Sequence, residues 1–335
     1  MELKENKIAV IGGGSWATAI VKMLMDNRES KDLYWWMRNE DAINSIIEEG
    51  RNPNYLSAVQ VDIEPNNISK DINHIISQVN IVILCVPAAF LIDTLKNIKA
   101  EELNDKIIIS AIKGIVPETN QIIGEFLQVQ YRIPISNIAV ISGPCHAEEV
   151  SQKKLSYLTL ASQAPEVANL IASLLTTNYI KTTISDDIYG VEYAAVLKNI
   201  YAIASGICHG VGFGDNFQAV LISNAIREMA SFVKVVHPID RDIKESAYLG
   251  DLLVTAYSQF SRNRTFGNMI AKGYTVRSAQ LEMNMIAEGY YASKCIHQIA
   301  KRFELDLPIC RAVYAILYEK HSPVVEVQLL AELLN

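Results

Sequence analysis

The chain has 335 residues, half of them hydrophobic, with a formal net charge of -7. That length allows two domains with sizeable cores, and mixed charge at this hydrophobicity argues against a disordered chain. The acidic balance argues against a general nucleic-acid or membrane-surface binder, although a few local Lys and Arg can still hold a phosphate in a buried site.

The start, Met1-Glu2-Leu3-Lys4-Glu5-Asn6-Lys7, is charged and runs into a strand, so no signal peptide is expected. Ile8-Ala9-Val10-Ile11-Gly12-Gly13-Gly14-Ser15-Trp16-Ala17 then reads as a buried strand, a glycine turn and the start of a helix. Gly12 and Gly14 are expected to take backbone angles closed to other residues and to let a pyrophosphate touch the main chain, at a helix N-terminus that attracts anions. Ala17 fills the third small position of the dinucleotide fingerprint. A second strand, Leu33 to Met37, ends in Arg38-Asn39, with Glu40 and Asp41 expected inside the next helix. An NAD-specific site generally has a carboxylate at that strand end; an Arg there can pair with a 2′-phosphate instead.

Further strands are expected at Asn80–Val86, Lys106–Ala111, Ile138–Ser142, Leu155–Ala161 and Tyr179–Thr183. Helices are expected at Asp41–Glu49 and Glu118–Gln128. Several strands are continuous apolar runs, which suits a mostly parallel, doubly wound α/β sheet. The longest such run, around Ile81 to Ile92, contains Pro87 and is too short to span a bilayer. Ligands of such sheets lie beyond the strand carboxyl ends, where Val86-Pro87-Ala88, Lys113-Gly114 and Ser142-Gly143-Pro144-Cys145 fall. Each is an ordinary turn or a solvated lysine when taken alone.

Near residue 187 the texture changes, which places an α/β dinucleotide-binding domain at 1–187 and an all-α domain, the candidate substrate and catalytic domain because it carries Lys198, at 188–335. Its expected helices are Val191–Cys208, Phe217–Val236, Ile243–Tyr257, Glu288–Phe303 and Arg311–Glu319. Lys198 lies in the first of them, which is apolar nearly all round. A buried ammonium is costly and its pKa falls toward the range useful for proton transfer; the ordinary alternative is a lysine that snorkels to solvent. Ser261-Arg262-Asn263-Arg264 reads either as a phosphate clamp or, taken by itself, as a helix C-terminus carrying Arg against the dipole. Gly250-Asp251 reads most simply as an N-cap. Five cysteines without a C-x-x-C suit a reduced, cytoplasmic protein, and the histidine spacing predicts no metal site.

Taken in order along the chain, these segments resemble the NAD(P)-dependent glycerol-3-phosphate dehydrogenases of bacterial type. The resemblance rests on the glycine turn, Asn52-Pro53-Asn54-Tyr55-Leu56, Val86-Pro87, Lys113-Gly114, Ser142-Gly143-Pro144 with Ala147, and Val196-Leu197-Lys198-Asn199. It continues through Gly210–Asn216, Leu249-Gly250-Asp251-Leu252, Ser261-Arg262-Asn263 and Glu288-Gly289. It implies reversible reduction of dihydroxyacetone phosphate to sn-glycerol 3-phosphate, for phospholipid synthesis, by a cytoplasmic homodimer. Lys198 matches the catalytic acid/base. Gly143, Cys145, Asp251, Ser261 and Asn263 match substrate positions, and Lys113 and Arg262 match positions touching both ligands. Gly12, Gly14, Ser15, Trp16, Arg38, Tyr55, Ala147, Ile286 and Glu288 match cofactor positions. Arg38 leads us to expect NADPH as the preferred cofactor, with NADH also used. The chain departs from the family pattern at Ala17 (usually Gly), Cys145 (usually Ser or Thr), Ser57 (usually Pro) and His209 (often Asp). A related dehydrogenase acting on a 3-hydroxy acid and a non-catalytic NAD(P) sensor remain as alternatives at this point.

Overall fold

The computed structural model describes residues 6–27, 33–283 and 286–335; the start at residues 1–5, with its expected lack of a signal peptide, lies outside them. The chain divides into two compact units, Met1–Ile112 with Ile123–Ile188, and Lys113–Ile122 with Tyr189–Asn335.

In chain order the strands are β1 (Ile8–Ile11), β2 (Leu33–Trp36), β3 (Ile68–Ser69), β4 (Ile81–Leu84), β5 (Ile107–Ser110), β6 (Ile115–Val116), β7 (Gln121–Ile122), β8 (Ile138–Ser142), β9 (Ser156–Ala161) and β10 (Ile180–Ser185). Eight of them form the sheet of the first unit, ordered β10-β9-β8-β5-β4-β1-β2-β3. Every neighbouring pair is parallel except β8 with β9. β1, β4 and β8 are buried at every residue, so both faces of the sheet centre are covered. That is why these strands are Ile/Val/Leu/Ala runs, with Ser142 at the very end of β8, rather than alternating ones. Strand order reverses between β1 and β4, the switch point at which such sheets bind ligands.

The first unit also carries α1 (Ser15–Met25), α2 (Glu40–Glu49), α3 (Ile72–Ser77), α4 (Leu91–Leu95), α5 (Ile123–Tyr131), α6 (Ala147–Ser151) and α7 (Pro165–Leu175). α1 packs against α6 and α7. The second unit is built from α8 (Ile188–Gly210), α9 (Asp215–Val236), α10 (Asp251–Tyr257), α11 (Arg262–Ala271), α12 (Val276–Glu282), α13 (Glu288–Arg302), α14 (Pro308–Tyr318) and α15 (Pro323–Leu333). Among the described residues no helix is long and apolar enough to cross a membrane.

Several elements differ from the sequence expectation. The helix expected at Glu118–Gln128 begins only at Ile123, because 115–116 and 121–122 form the antiparallel hairpin β6–β7. Asn120 turns it with φ 55°, a conformation Asn tolerates better than most residues. This hairpin belongs to the second unit, which is therefore helical except for one excursion of the chain. The helix expected at Ile243–Tyr257 is a π-helical turn at Ser246–Gly250 followed by α10. α14 starts at Pro308, ahead of the expected Arg311, since Pro suits the first helical position.

The start of α14 is tied to α9 by Glu228, whose buried carboxylate accepts from the N–H groups of Ile309 (2.5 Å) and Cys310 (3.4 Å). Burial pushes this carboxyl up to about 7, although both N–H groups pull it down. The folded chain therefore holds a proton that the unfolded chain releases near its ordinary 4.5. Stability from this group is complete below about pH 4.5 and is lost as pH rises toward about 7. Glu228→Gln keeps an acceptor but cannot ionise. Its stability relative to the parent protein should rise between pH 5 and 8 by on the order of 3 kcal/mol. Denaturant melts across that range test this, and parallel curves would contradict it.

Candidate active site

In the first unit the glycine turn follows β1 and is braced from three sides. Gly12 has φ 138°, and a Cβ there would lie 2.8 Å from the Cys85 carbonyl oxygen, so no other residue fits. Gly14 departs from expectation: its φ is -85°, open to any residue. What it supplies is room, since a Cβ there would meet nothing within 4 Å. The Trp35 indole N–H donates to the Gly12 carbonyl (2.6 Å) and the Gly12 N–H to the Trp36 carbonyl (3.0 Å). Asn52 Nδ2 donates to the Gly13 carbonyl (3.1 Å) and to Thr18 Oγ1 (3.0 Å). Among the described residues no side chain caps α1, leaving its start as a cradle that an anion would complete. The Trp16 indole N–H is buried without a partner among the described residues, a donor the chain itself leaves unsatisfied.

The other first-unit candidates sit on loops and helix starts of the same unit. Arg38 is exposed just after β2, with Asn39 capping α2 by accepting from the Ala42 N–H (3.1 Å). Tyr55 is half-buried. Gly143 ends β8 with φ 99°, and a Cβ there would lie 2.9 Å from the Tyr157 carbonyl oxygen. Cys145 packs partly buried against the sheet core, and buried Ala147 opens α6. A dinucleotide fits this turn: it has room at Gly14, an uncapped helix and an unsatisfied indole donor.

The second unit holds a charged centre. Lys198 is 4 % exposed on α8, so it does not snorkel to solvent. Its Nζ donates to Asp251 Oδ1 (2.5 Å) and Thr255 Oγ1 (3.0 Å). Lys113, brought by the β6–β7 excursion, donates to Asp251 Oδ2 (3.0 Å). One carboxylate thus bridges two ammonium groups. Asp251 opens α10 without capping it, which overturns the simple N-cap reading. Burial pushes Lys198 well below the usual lysine range, to about 7; Asp251 opposes this shift and Lys113 reinforces it. For Asp251 burial works upward, but the two ammonium groups overcome it and hold the carboxyl below the usual range.

An amide chain extends from this centre. Asn199 Nδ2 donates to the Lys113 carbonyl (2.7 Å), Asn263 Nδ2 donates to Asn199 Oδ1 (2.9 Å), and the Gly289 N–H donates to Asn263 Oδ1 (2.9 Å). Ser261 caps α11 by accepting from the Arg264 N–H (3.3 Å), so Ser261-Arg262-Asn263 is a helix start and not the helix end that its Arg content suggested. A helix start bearing an exposed Arg262 suits an anion. α8 and α11 meet backbone to backbone: a Cβ on Gly206 would lie 2.0 Å from the Arg264 carbonyl oxygen, and one on Gly267 2.1 Å from that of Ile203. Half-buried Ile286 and Glu288 lead into α13, beside Gly289 of the amide chain. Asn52, Asn199 and Thr255 hold these networks together, although the sequence by itself gives them no role. Two lay inside quoted motifs, and Thr255 stands one helical turn after Asp251.

Both halves of the chain match one family. Residues 7–168 fit the N-terminal model of the NAD-dependent glycerol-3-phosphate dehydrogenases and 187–328 the C-terminal model. The chain belongs to this family. It is similar to glycerol-3-phosphate dehydrogenase [NAD(P)+] of Staphylococcus carnosus, at 33% identity over 94% of each chain. Its similarity to the same enzyme of Oceanobacillus iheyensis is 34%, over 95% of this chain and 91% of that one. The crystal structure of glycerol-3-phosphate dehydrogenase from Coxiella burnetii superposes with a TM-score of 0.90 at 28% identity, covering 98% of this chain and 99% of that one. D-mandelate dehydrogenase shares the fold at a TM-score of 0.61 and 18% identity.

Proposed function

We propose that Lys198 is the acid/base of a reversible reduction of dihydroxyacetone phosphate to sn-glycerol 3-phosphate. The protein is an NAD(P)-dependent glycerol-3-phosphate dehydrogenase by family. The observation that carries the assignment is the Lys198–Asp251–Lys113 centre, linked through Asn199 and Asn263 to the α11 start with Arg262. A carboxylate-specific 3-hydroxy acid enzyme has no need of that linked phosphate clamp, and a sensor has no need of a buried lysine.

When bound, a reduced nicotinamide supplies the hydride. As the carbonyl carbon is reduced, negative charge grows on its oxygen. Asp251 and Thr255 take two of the three Lys198 N–H donors, leaving one for that oxygen. Lys198 stabilises the charge and then gives up this proton, becoming a neutral amine that solvent reprotonates. Asp251 holds the lysine in place, and Lys113 keeps Asp251 ionised. Arg262 and the first N–H groups of α11 take the phosphate, together with Ser261 and Asn263. Gly143 and Cys145 are assigned to the substrate by the family resemblance. Ser15, Trp16, Tyr55 and Ala147 hold the cofactor at the Gly12–Gly14 turn; Ile286 and Glu288 as cofactor residues, and Lys113 and Arg262 as residues of both ligands, follow from the family resemblance.

NADPH is the preferred cofactor, because Arg38 stands where a carboxylate would select NAD. The enzyme works as a cytoplasmic homodimer supplying phospholipid synthesis; sedimentation of the soluble cell fraction at low concentration tests the dimer and its location.

The decisive assay offers dihydroxyacetone phosphate and a panel of 3-oxo acids with NADPH and NADH in turn. Turnover confined to the phosphate substrate, with higher kcat/KM for NADPH, is expected. Reduction needs the ammonium form of Lys198, so its rate should fall as pH rises through about 7. Oxidation of glycerol 3-phosphate needs the neutral amine and should rise through the same range. Equal pH profiles in the two directions would remove Lys198 from this role.

A further inference from the structure

The edge strand β3 is two residues long, and its consequence lies just beyond it. β3 pairs in parallel with β2, Trp36 opposite Ser69, so Lys70 emerges at the same sheet end as Arg38. The Trp36 indole N–H donates to the Lys70 carbonyl (2.9 Å) and the Met37 N–H to the Ser69 carbonyl (3.3 Å), which fix that backbone. The Lys70 ammonium pairs with the Glu40 carboxylate at 2.6 Å. Glu40 is the first residue of α2, two positions after Arg38, and is the carboxylate nearest along the chain to the place where an NAD-selective site carries one. The neighbouring acidic groups are otherwise engaged or set aside. Asp71 caps α3 through the Asn73 and His74 N–H groups, Asp93 pairs with Lys96 at 2.7 Å while also feeling Arg38, and Asp41 lies further along the first turn of α2.

We propose that Lys70 is a specificity-determining residue for the adenosine 2′ substituent, a second cation beside Arg38 that masks Glu40 and takes part in holding the 2′-phosphate. The role rests on the NADPH-preferring reading above. Both partners of the Lys70–Glu40 pair are more than half exposed, at 58% and 62%, so the pair itself is weak. Exchanging one carboxylate for a more highly charged phosphate then costs Lys70 little and adds a charge-assisted hydrogen bond. Without Lys70, the Glu40 carboxylate repels a 2′-phosphate and becomes free to accept from a 2′-hydroxyl. One exposed lysine thereby decides whether the second strand's end presents a net positive charge or Arg38 balanced by Glu40.

The test titrates adenosine 2′,5′-bisphosphate and 5′-AMP by calorimetry, at one fixed ionic strength, into the parent protein, Lys70→Ala, Glu40→Gln, their double variant and Arg38→Ala. Steady-state kinetics with NADPH and NADH accompany it. Lys70→Ala should weaken the bisphosphate by about tenfold, while 5′-AMP, which carries the 2′-hydroxyl, should bind as tightly as to the parent protein or up to about twofold tighter. Its kcat with NADH should not change, which a merely structural defect would not spare. Glu40→Gln should tighten the bisphosphate, and the double variant should bind it more weakly than Glu40→Gln alone, because Lys70 itself touches the phosphate. Equal loss for both nucleotides, no loss in Lys70→Ala, or a double variant equal to Glu40→Gln overturns the role of Lys70. A parent protein that binds both nucleotides alike, or an Arg38→Ala variant that loses both alike, overturns the NADPH reading instead. Discrimination that disappears in Arg38→Ala but survives in Lys70→Ala sinks Lys70 alone.

Discussion

Lys198→Ala is expected to lower kcat for dihydroxyacetone phosphate reduction by at least about a thousandfold, with NADPH affinity within about twofold of the parent value. The size follows from two losses at one position. The variant has no proton to give the nascent alkoxide, and it has no positive charge where that oxygen becomes negative. In a buried site water substitutes poorly for either. The fold should survive, because Asp251 keeps Lys113 as a partner at 3.0 Å and is not left as an isolated buried charge. A melting temperature near the parent value alongside the loss of kcat would separate chemistry from unfolding. Near-normal turnover would remove Lys198 from the mechanism.

Asp251→Asn should be damaging in a different way. Asp251 is 1 % exposed and bridges both ammonium groups, so the amide leaves two cations without their shared counter-charge. Breaking a buried pair from one side costs about 3–5 kcal/mol when the remaining charge persists. Lys198, already pushed by burial to about 7, can escape that cost by losing its proton. The reduction profile should then shift to lower pH, with less activity at neutrality and partial recovery in more acidic buffer. The sign is set by the carboxylate: Asp251 raises the Lys198 value, so its removal lowers it. A variant with reduced kcat but an unshifted profile would show that Asp251 does not tune Lys198. Both variants should lose stability, Lys198→Ala little and Asp251→Asn more, because Lys113 also loses its counter-charge there, and melts at one pH compare them.

Much of the first unit is legible in the sequence, because its signals are local. β1, β4 and β8 announce themselves as apolar runs, since a strand covered on both faces favours apolar side chains at every position and leaves a polar one, Ser142, only at the end of β8. Gly12 is legible because a positive φ and the 2.8 Å approach to Cys85 leave glycine as the residue that fits. Gly14 is legible from the same motif but not its physical reason, its backbone being ordinary and its role being open space. Short elements without a period escaped: β3 has two residues, and the β6–β7 hairpin was hidden inside an apparently helical stretch.

Composition and local pattern determined that a buried parallel sheet begins the chain, that a glycine turn opens its first helix, and that an apolar helix carries one lysine. They could not determine what that lysine meets. Asp251 lies 53 residues from Lys198 and 138 from Lys113, and no local rule links such distances. Only packing decided that the excursion after β5 delivers Lys113 to the helical unit and that α10 opens with its carboxylate between two ammonium groups. Packing likewise made Ser261-Arg262-Asn263 a helix start, where backbone N–H groups attract anions, although the same residues at a helix end would have read as dipole complements. The backbone contacts at Gly206 and Gly267 show why: a glycine's side-chain absence is visible in the sequence, but the carbonyl oxygen that needs the space comes from another helix and exists only once the two have docked.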